Sequence, residues 1–185
     1  MPKVLVPIAQ GCEEMEAVTV IDLLRRAGIE VVSAGLDMLP VKASQGVTLV
    51  PDTTLELALK DDFDMIVLPG GIPGTTHLKE DARIQHLVRQ MDTAGKYVAA
   101  ICAAPAVLAK AGVLQGKRAT SYPGVLDQMN LPDTAYLTTP VVKDGRIITS
   151  RGPGTAMDFA LELVETLVGK EKRDEVEARL QRPAN

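Results

Sequence analysis

A cysteine, a run of glutamates and a pair of glycines are the residues of this chain whose types and spacing could do chemistry. Cys102 follows the apolar run Lys96-Tyr97-Val98-Ala99-Ala100-Ile101 and precedes the small-residue segment Ala103-Ala104-Pro105, which opens a helix through Lys110. A cysteine at such a strand-to-helix corner meets unpaired peptide N–H groups, whose partial positive charge favours thiolate over thiol. The pattern matches a nucleophile elbow with cysteine in place of serine. The competing reading is a small buried hydrophobe ending a core strand, and what else reaches the same corner decides between them.

Two other loops carry unusual content. Pro69-Gly70-Gly71 follows the apolar run Met65-Ile66-Val67-Leu68, and Gln10-Gly11-Cys12-Glu13-Glu14-Met15-Glu16 follows Val4-Leu5-Val6-Pro7-Ile8. Paired glycines permit positive φ and close backbone approach, so a peptide N–H there could stand beside that of Ala103 as an oxyanion hole; such pairs also serve as plain turns. Glu13 and Glu14 read as carboxylates complementing a helix start. Glu16, one turn in, points to the cleft if Ala17, Val20 and Ile21 face the sheet. Cys12 is read as an inert loop cysteine in preference to a resolving thiol. His77, after the glycine pair, and His86, beside Gln85, are given no catalytic part.

The elements that must position these residues are legible as alternating strands and helices. Val4–Ile8 is a buried strand, Glu14–Ala27 a helix closed by Gly28, and Glu30–Ala34 a second strand, which makes a βαβ opening. Val41–Ala43 and Val47–Val50 form a short hairpin or edge strands, and Asp52 or Thr53 caps a short helix through Leu59. Met65–Leu68 is a strand, Ala82–Ala94 a helix ended by Gly95, and Val98–Ile101 the strand that delivers Cys102. Val141–Ile148 is a hairpin about Asp144-Gly145, followed by a helix over Ala156–Val168 and an amphipathic surface helix over Glu171–Leu180. Alternation of this kind predicts an α/β fold, a mostly parallel doubly wound sheet with helices on both faces, with ligands binding outside the carboxyl ends of the strands. The first helix is apolar on more than one face, at Ala17, Val18, Val20, Ile21, Leu23 and Leu24, so something is expected to cover its outer side.

At 185 residues the chain suits one domain over 1–185. The net charge of −4, the interspersed signs and only three Tyr, two Phe and no Trp argue against direct nucleic-acid binding. The amino terminus is apolar only briefly, neither a signal peptide nor a membrane span, so a cytosolic protein without a membrane partner is expected. Two cysteines and two histidines give no disulfide framework and no zinc spacing, so neither metal nor cofactor is expected.

Four segments together, Gly11-Cys12-Glu13-Glu14-Met15-Glu16, Leu68-Pro69-Gly70-Gly71, Ala99-Ala100-Ile101-Cys102-Ala103-Ala104-Pro105 and Thr149-Ser150-Arg151-Gly152-Pro153-Gly154-Thr155, resemble the DJ-1/ThiJ/PfpI superfamily, most closely its DJ-1 branch and the bacterial members within it. The resemblance runs through nearly the whole chain in order. It implies a flavodoxin-like fold, a reactive Cys102 whose thiolate is hydrogen-bonded by a protonated Glu16, backbone donors at Gly71 and Ala103, a substrate site that also includes Gly70 and Tyr122, and a homodimer in which the first helix meets its partner near the site. Two departures matter. Peptidase-like members carry histidine directly after the cysteine, where this chain has Ala103, which disfavours peptidase activity. In DJ-1 a histidine stands in a Thr-Thr-His-Pro stretch; here Thr120-Ser121-Tyr122-Pro123 carries a phenol, which donates a hydrogen bond but is no base near neutrality, so proton transfer falls to Glu16.

The function this implies is a cofactor-independent glyoxalase acting on methylglyoxal or glyoxal, or a deglycase acting on their early adducts with proteins and nucleotides. The alternative is a non-enzymatic oxidative-stress sensor or chaperone using oxidation of Cys102 to a sulfinate held by Glu16. Cysteine peptidase and thiazole-phosphate biosynthesis rank below both, the latter because no basic phosphate-binding loop is present.

Overall fold

The computed structural model describes residues 1–183. Its chain order is β1 (Lys3–Ile8), α1 (Glu14–Arg26), β2 (Glu30–Gly35), β3 (Val41–Lys42), β4 (Thr48–Leu49), β5 (Thr53–Thr54), α2 (Leu55–Ala58), β6 (Met65–Leu68), α3 (Ile72–Glu80), α4 (Ala82–Thr93), β7 (Tyr97–Ile101), α5 (Pro105–Ala111), β8 (Arg118–Ala119), β9 (Ala135–Tyr136), β10 (Val141–Asp144), β11 (Ile147–Ser150), α6 (Ala156–Val168) and α7 (Lys170–Arg179).

Seven strands form one sheet in the order β10-β11-β7-β6-β1-β2-β5. All neighbours are parallel except β10 and β11, the hairpin in which Val141 faces Ser150. The core strands are apolar without interruption because helices cover both faces. Successive side chains point to opposite sides. Val4, Val6, Ile8, Met65, Val67 and Ile101 meet Ala17, Val20, Leu24, Phe159 and Leu163 of α1 and α6, whereas Leu5, Ile66, Leu68, Val98 and Ala100 meet Leu78, Ile84, Val88, Val107 and Leu108 of α3, α4 and α5. The chain leaves β1 toward β2 on one side and returns to β6 on the other, so the crevice where winding reverses lies between β1 and β6, at their carboxyl ends.

The mostly parallel α/β sheet with helices on both faces is the expected fold, with local differences. The segment after Gly71 is α3 and not an extended glycine loop. Pro73 lies in its first turn, where its missing N–H costs little, and Gly74 lets the helix approach Cys12, whose backbone N and Cα lie 2.7 Å from where a Cβ would sit. Thr53–Thr54 pairs as an edge strand, and Thr54, not Asp52 or Thr53, caps a one-turn α2 by accepting from the Leu57 N–H at 3.4 Å. Asp52 instead accepts from the Ser33 amide and hydroxyl and from Arg25. β8 and β9 form an unanticipated two-stranded parallel pair. The surplus apolar face of α1 packs in part along α6 of the same chain, which leaves Met15 and Val18 exposed at 60% and 47%. Among the described residues, no helix is long and apolar enough to cross a membrane.

Candidate active site

Cys102 sits immediately after β7 with φ +65°, a left-handed conformation that a side chain adopts only when its surroundings impose it. Two backbone bonds do so: the Cys102 N–H donates to Ser150 O at 3.0 Å, and its carbonyl accepts from the Tyr122 N–H at 2.8 Å. The nucleophile-elbow corner is therefore real. The following helix differs from the expectation: α5 begins only at Pro105, and the Ala104 N–H is taken by Ile101 O at 3.0 Å and is not free for the sulfur. The backbone N–H groups near the sulfur, which favour its charged form, are those of Gly71 and Ala103.

Glu16 is fully buried on the inner face of α1. Its Oε2 accepts from the Gly70 N–H at 2.8 Å, and its carboxyl stands beside the Cys102 thiol, while Oε1 is buried without a partner. Gly70, expected among the groups facing substrate, is thus occupied with holding Glu16. Its lack of a side chain is what admits the pair: a Cβ there would lie 2.6 Å from Cys102 Cβ and 2.7 Å from Glu16 Oε2. Gly71 combines φ +87° with a similar constraint, a Cβ there falling 2.5 Å from Gly11 O.

The electrostatics differ from a simple low-pKa thiol. Burial pushes the Glu16 carboxyl up from 4.5 to about 7, against the Gly70 N–H and the Cys102 contact, which favour its charged form. Burial also pushes the Cys102 thiol up, to about 12, reinforced by the Glu16 charge and opposed by the Gly71 and Ala103 amides. Between those values the pair holds one proton, which rests on the thiol. A thiolate forms here when Glu16 holds that proton, with the Gly71 and Ala103 amides near the sulfur. Cys12 is likewise pushed up to about 12, by burial and then by Glu14, Glu13 and Glu16, and it is completely buried where Cys102 is partly exposed.

A cavity of about 490 Å³ opens at the cysteine; Cys102, Gly71, Ala103, Ile72, Tyr122, Val125, Pro153, Glu13, Ser44 and Gln45 are among the residues that line it. The elbow cysteine, the buried acid and the glycine pair converge at the carboxyl ends of the central strands, beside the sheet's switch point. The model of the DJ-1/PfpI family matches residues 2–166. The chain belongs to the DJ-1/PfpI family. Protein dj-1beta of Drosophila melanogaster is 49% identical over 174 residues, which cover 93% of this chain and 92% of that protein. A Caenorhabditis elegans relative named glutathione-independent glyoxalase DJR-1.2 is 41% identical over 163 residues, 88% of this chain and 87% of that one. The crystal structure of Drosophila DJ-1beta superposes with a TM-score of 0.94 at 46% identity, covering 99% of each chain.

Within this DJ-1/PfpI site some residues stand where no local signal pointed. The turn between β3 and β4 reaches back over α1, where the Glu14 carboxylate accepts from the Gln45 N–H at 2.9 Å and the Ser44 hydroxyl at 3.1 Å. Burial opposes charge on Glu14, but the bonds from its own amide, Gln45, Ser44 and Val47 win and hold its carboxyl below the usual range. Glu14 is a clamp on the cavity wall and more than a dipole complement. Arg151, from the segment after β11, braces the stretch next to Tyr122: its guanidinium donates to Ser121 O, Thr138 O and the Tyr136 hydroxyl at 3.0 to 3.2 Å. Tyr122 stands at the rim, half-exposed, with its ring against Gly152. His77 and His86 are exposed and do not line the cavity. Among the described residues no cluster of three or more His, Cys, Asp or Glu is arranged to hold a metal ion.

Proposed function

We propose that this DJ-1/PfpI protein is a cofactor-independent glyoxalase or deglycase that acts on reactive α-oxoaldehydes, or on their early adducts with amines and thiols, through Cys102. The observation that carries the reading is the placement of Cys102 against the buried Glu16 carboxyl, at a cavity that Gly71 and Ala103 also line. The name of the C. elegans relative supports the same class.

With methylglyoxal, the Cys102 thiolate forms a C–S bond to the aldehyde carbon, and the carbonyl electron pair becomes an alkoxide held by the Gly71 and Ala103 N–H groups. Glu16 gives its proton to that oxygen and, now a carboxylate, removes the hydrogen on the same carbon and returns it to the adjacent one, while the hydroxyl proton passes from the former aldehyde oxygen to the former ketone oxygen. The aldehyde carbon is thereby oxidised to a thioester while the ketone carbon is reduced to an alcohol. Water then cleaves the C–S bond, which releases lactate and restores the cysteine. For a glycated amine or thiol, the same carbon is attacked and the amine or thiol leaves.

We also place the working protein in a homodimer, formed through the part of α1 that α6 leaves uncovered, around Met15 and Val18. The decisive test of the function is conversion of methylglyoxal to lactate by wild type and by Cys102→Ser, with the acid product quantified so that reversible adduct formation is not counted. Lactate formation that depends on Cys102 is expected; equal rates for the two proteins would overturn the reading.

A further inference from the structure

The residues that one protomer contributes to the cavity carry charge of one sign. Among its lining residues, Glu13 is the ionisable side chain facing the open space besides Cys102 and the rim phenol of Tyr122, and no Lys, Arg or His is among them. Glu13 sits at the start of α1, where one carboxylate oxygen accepts from the Met15 N–H at 3.2 Å and the other lies 3.0 Å from the Ser44 hydroxyl, whose one proton it shares with Glu14, so these contacts orient it at the cavity edge. Glu14 backs the Ser44-Gln45 wall and Glu16 lies buried beside Cys102. The cation of the neighbouring segment, Arg151, is committed to Ser121, Thr138 and Tyr136 and does not line the space.

We infer that this cavity selects uncharged over anionic carbonyl compounds, with Glu13 the residue that determines the selectivity. The inference rests on the function proposed above and narrows its substrate class. A carboxylate held beside a half-open cavity disfavours a second negative charge there, by a factor of about 3 to 10 at low salt. Such a field suits a reaction whose substrate is a neutral dicarbonyl and whose product is a 2-hydroxycarboxylate. The neutral reactant enters without penalty, and the anion formed at Cys102 is pushed out, so product inhibition by lactate is weak.

Two arms keep this inference separable from the function. In the first, Cys102 of the full chain is alkylated by iodoacetamide or by iodoacetate, reagents of one geometry that differ in charge; each forms a C–S bond to the sulfur and expels iodide. The ratio of the two rates, read at Cys102 by mass spectrometry, is divided by the same ratio for 2-mercaptoethanol, which cancels the reagents' intrinsic difference and the charge of the thiolate itself. Wild type should favour the neutral reagent about 3- to 10-fold more than 2-mercaptoethanol does, and the preference should shrink toward unity in about 1 M salt and in Glu13→Gln. Glu56→Gln, a change of equal charge on α2 outside the cavity lining, should leave it unaltered. A normalised ratio at or below unity in wild type, or one that Glu13→Gln leaves unchanged, overturns the inference; should Glu13→Gln fold poorly, Glu13→Ser is read in its place with the same criterion. In the second arm, kcat/KM for phenylglyoxal is compared with that for its para-carboxylate, and the neutral compound should win by a similar factor. Charge-selective alkylation without turnover of either aldehyde would sink the proposed function and leave the selectivity standing; turnover of both without discrimination would sink the selectivity alone.

Discussion

Replacing Glu16 by glutamine should make the folded protein more stable, by an amount set by pH. The carboxyl is fully buried and its pKa lies at about 7 where an exposed glutamate has 4.5. Below 4.5 the proton is bound in both folded and unfolded chains, and Glu16 costs nothing. As pH rises toward 7, the unfolded chain loses the proton first, so stability falls, and above 7 the folded protein carries the full penalty of a buried charge. The interval from 4.5 to about 7, at about 1.36 kcal/mol for each pH unit, corresponds to about 3 kcal/mol. Glutamine keeps the acceptor for the Gly70 N–H and turns an amide toward the sulfur, but it cannot ionise. Glu16→Gln should therefore unfold at least several degrees above wild type at pH 8, since about 1 kcal/mol moves Tm by roughly 2 to 4 °C in a chain of this size. At pH 5 the advantage should shrink to about 1 kcal/mol. Cys102→Ser should retain the wild-type pH trend, because burial is the largest cause of the Glu16 displacement and the thiol is only an opposing contact. Thermal melts of the three proteins at pH 5, 6, 7 and 8 would read this directly. Parallel curves for wild type and Glu16→Gln across that range would mean that Glu16 is an ordinary carboxylate, and the proton-transfer mechanism would fall with it.

Substoichiometric iodoacetamide near pH 7 should label Cys102 well ahead of Cys12. The reason is access, since both thiols are pushed up to about 12 but Cys12 is completely buried; peptide mapping that found Cys12 modified first would refute it. Glu14→Gln should cost about 1 kcal/mol in urea unfolding, because an amide oxygen replaces a carboxylate that accepts from Gln45, Ser44 and Val47. The same substitution should lower kcat/KM for α-oxoaldehydes through the loosened Ser44-Gln45 wall, and unchanged stability and activity would remove the clamp role. Light scattering at micromolar concentration should return a mass near twice 19.7 kDa, and a monomer mass would discard the homodimer.

The fold was legible because the strands are continuous apolar runs punctuated by glycine and proline, and because α1, α4 and α6 each alternate apolar residues with the helical period. Cys102 was legible for a different reason: an apolar run that stops at a small-residue corner leaves few places for the side chain to go. What local patterns could not show lies in contacts across the chain. α3 carries Pro73 and Gly74 near its start, residues that read as a loop until Gly74 is seen packed on Cys12. The burial of the Cys102 thiol, a larger influence on it than the neighbouring amides, is likewise set by segments distant in the chain.

Glu13, Glu14 and Glu16 state the division most clearly. They are the same residue type within four positions at the head of one helix, and the helical period separates them only in part. Glu16 lies on the stripe with Ala17 and Val20, so its inward direction follows from the sequence, and the Gly70-Gly71 pair explains what it meets there. Glu14 and Glu13 acquire their parts from a turn some thirty residues later: Ser44 and Gln45 come back over the helix start, cover Glu14, and leave Glu13 on the open side. One carboxyl is made a proton carrier by burial, one a clamp by backbone donors, and one a source of charge at the cavity edge by being left beside it. The chemistry of the three is identical; the hairpin of β3 and β4 is what tells Glu13 from Glu14, so alterations in that turn should redistribute their roles before they disturb the sheet beneath.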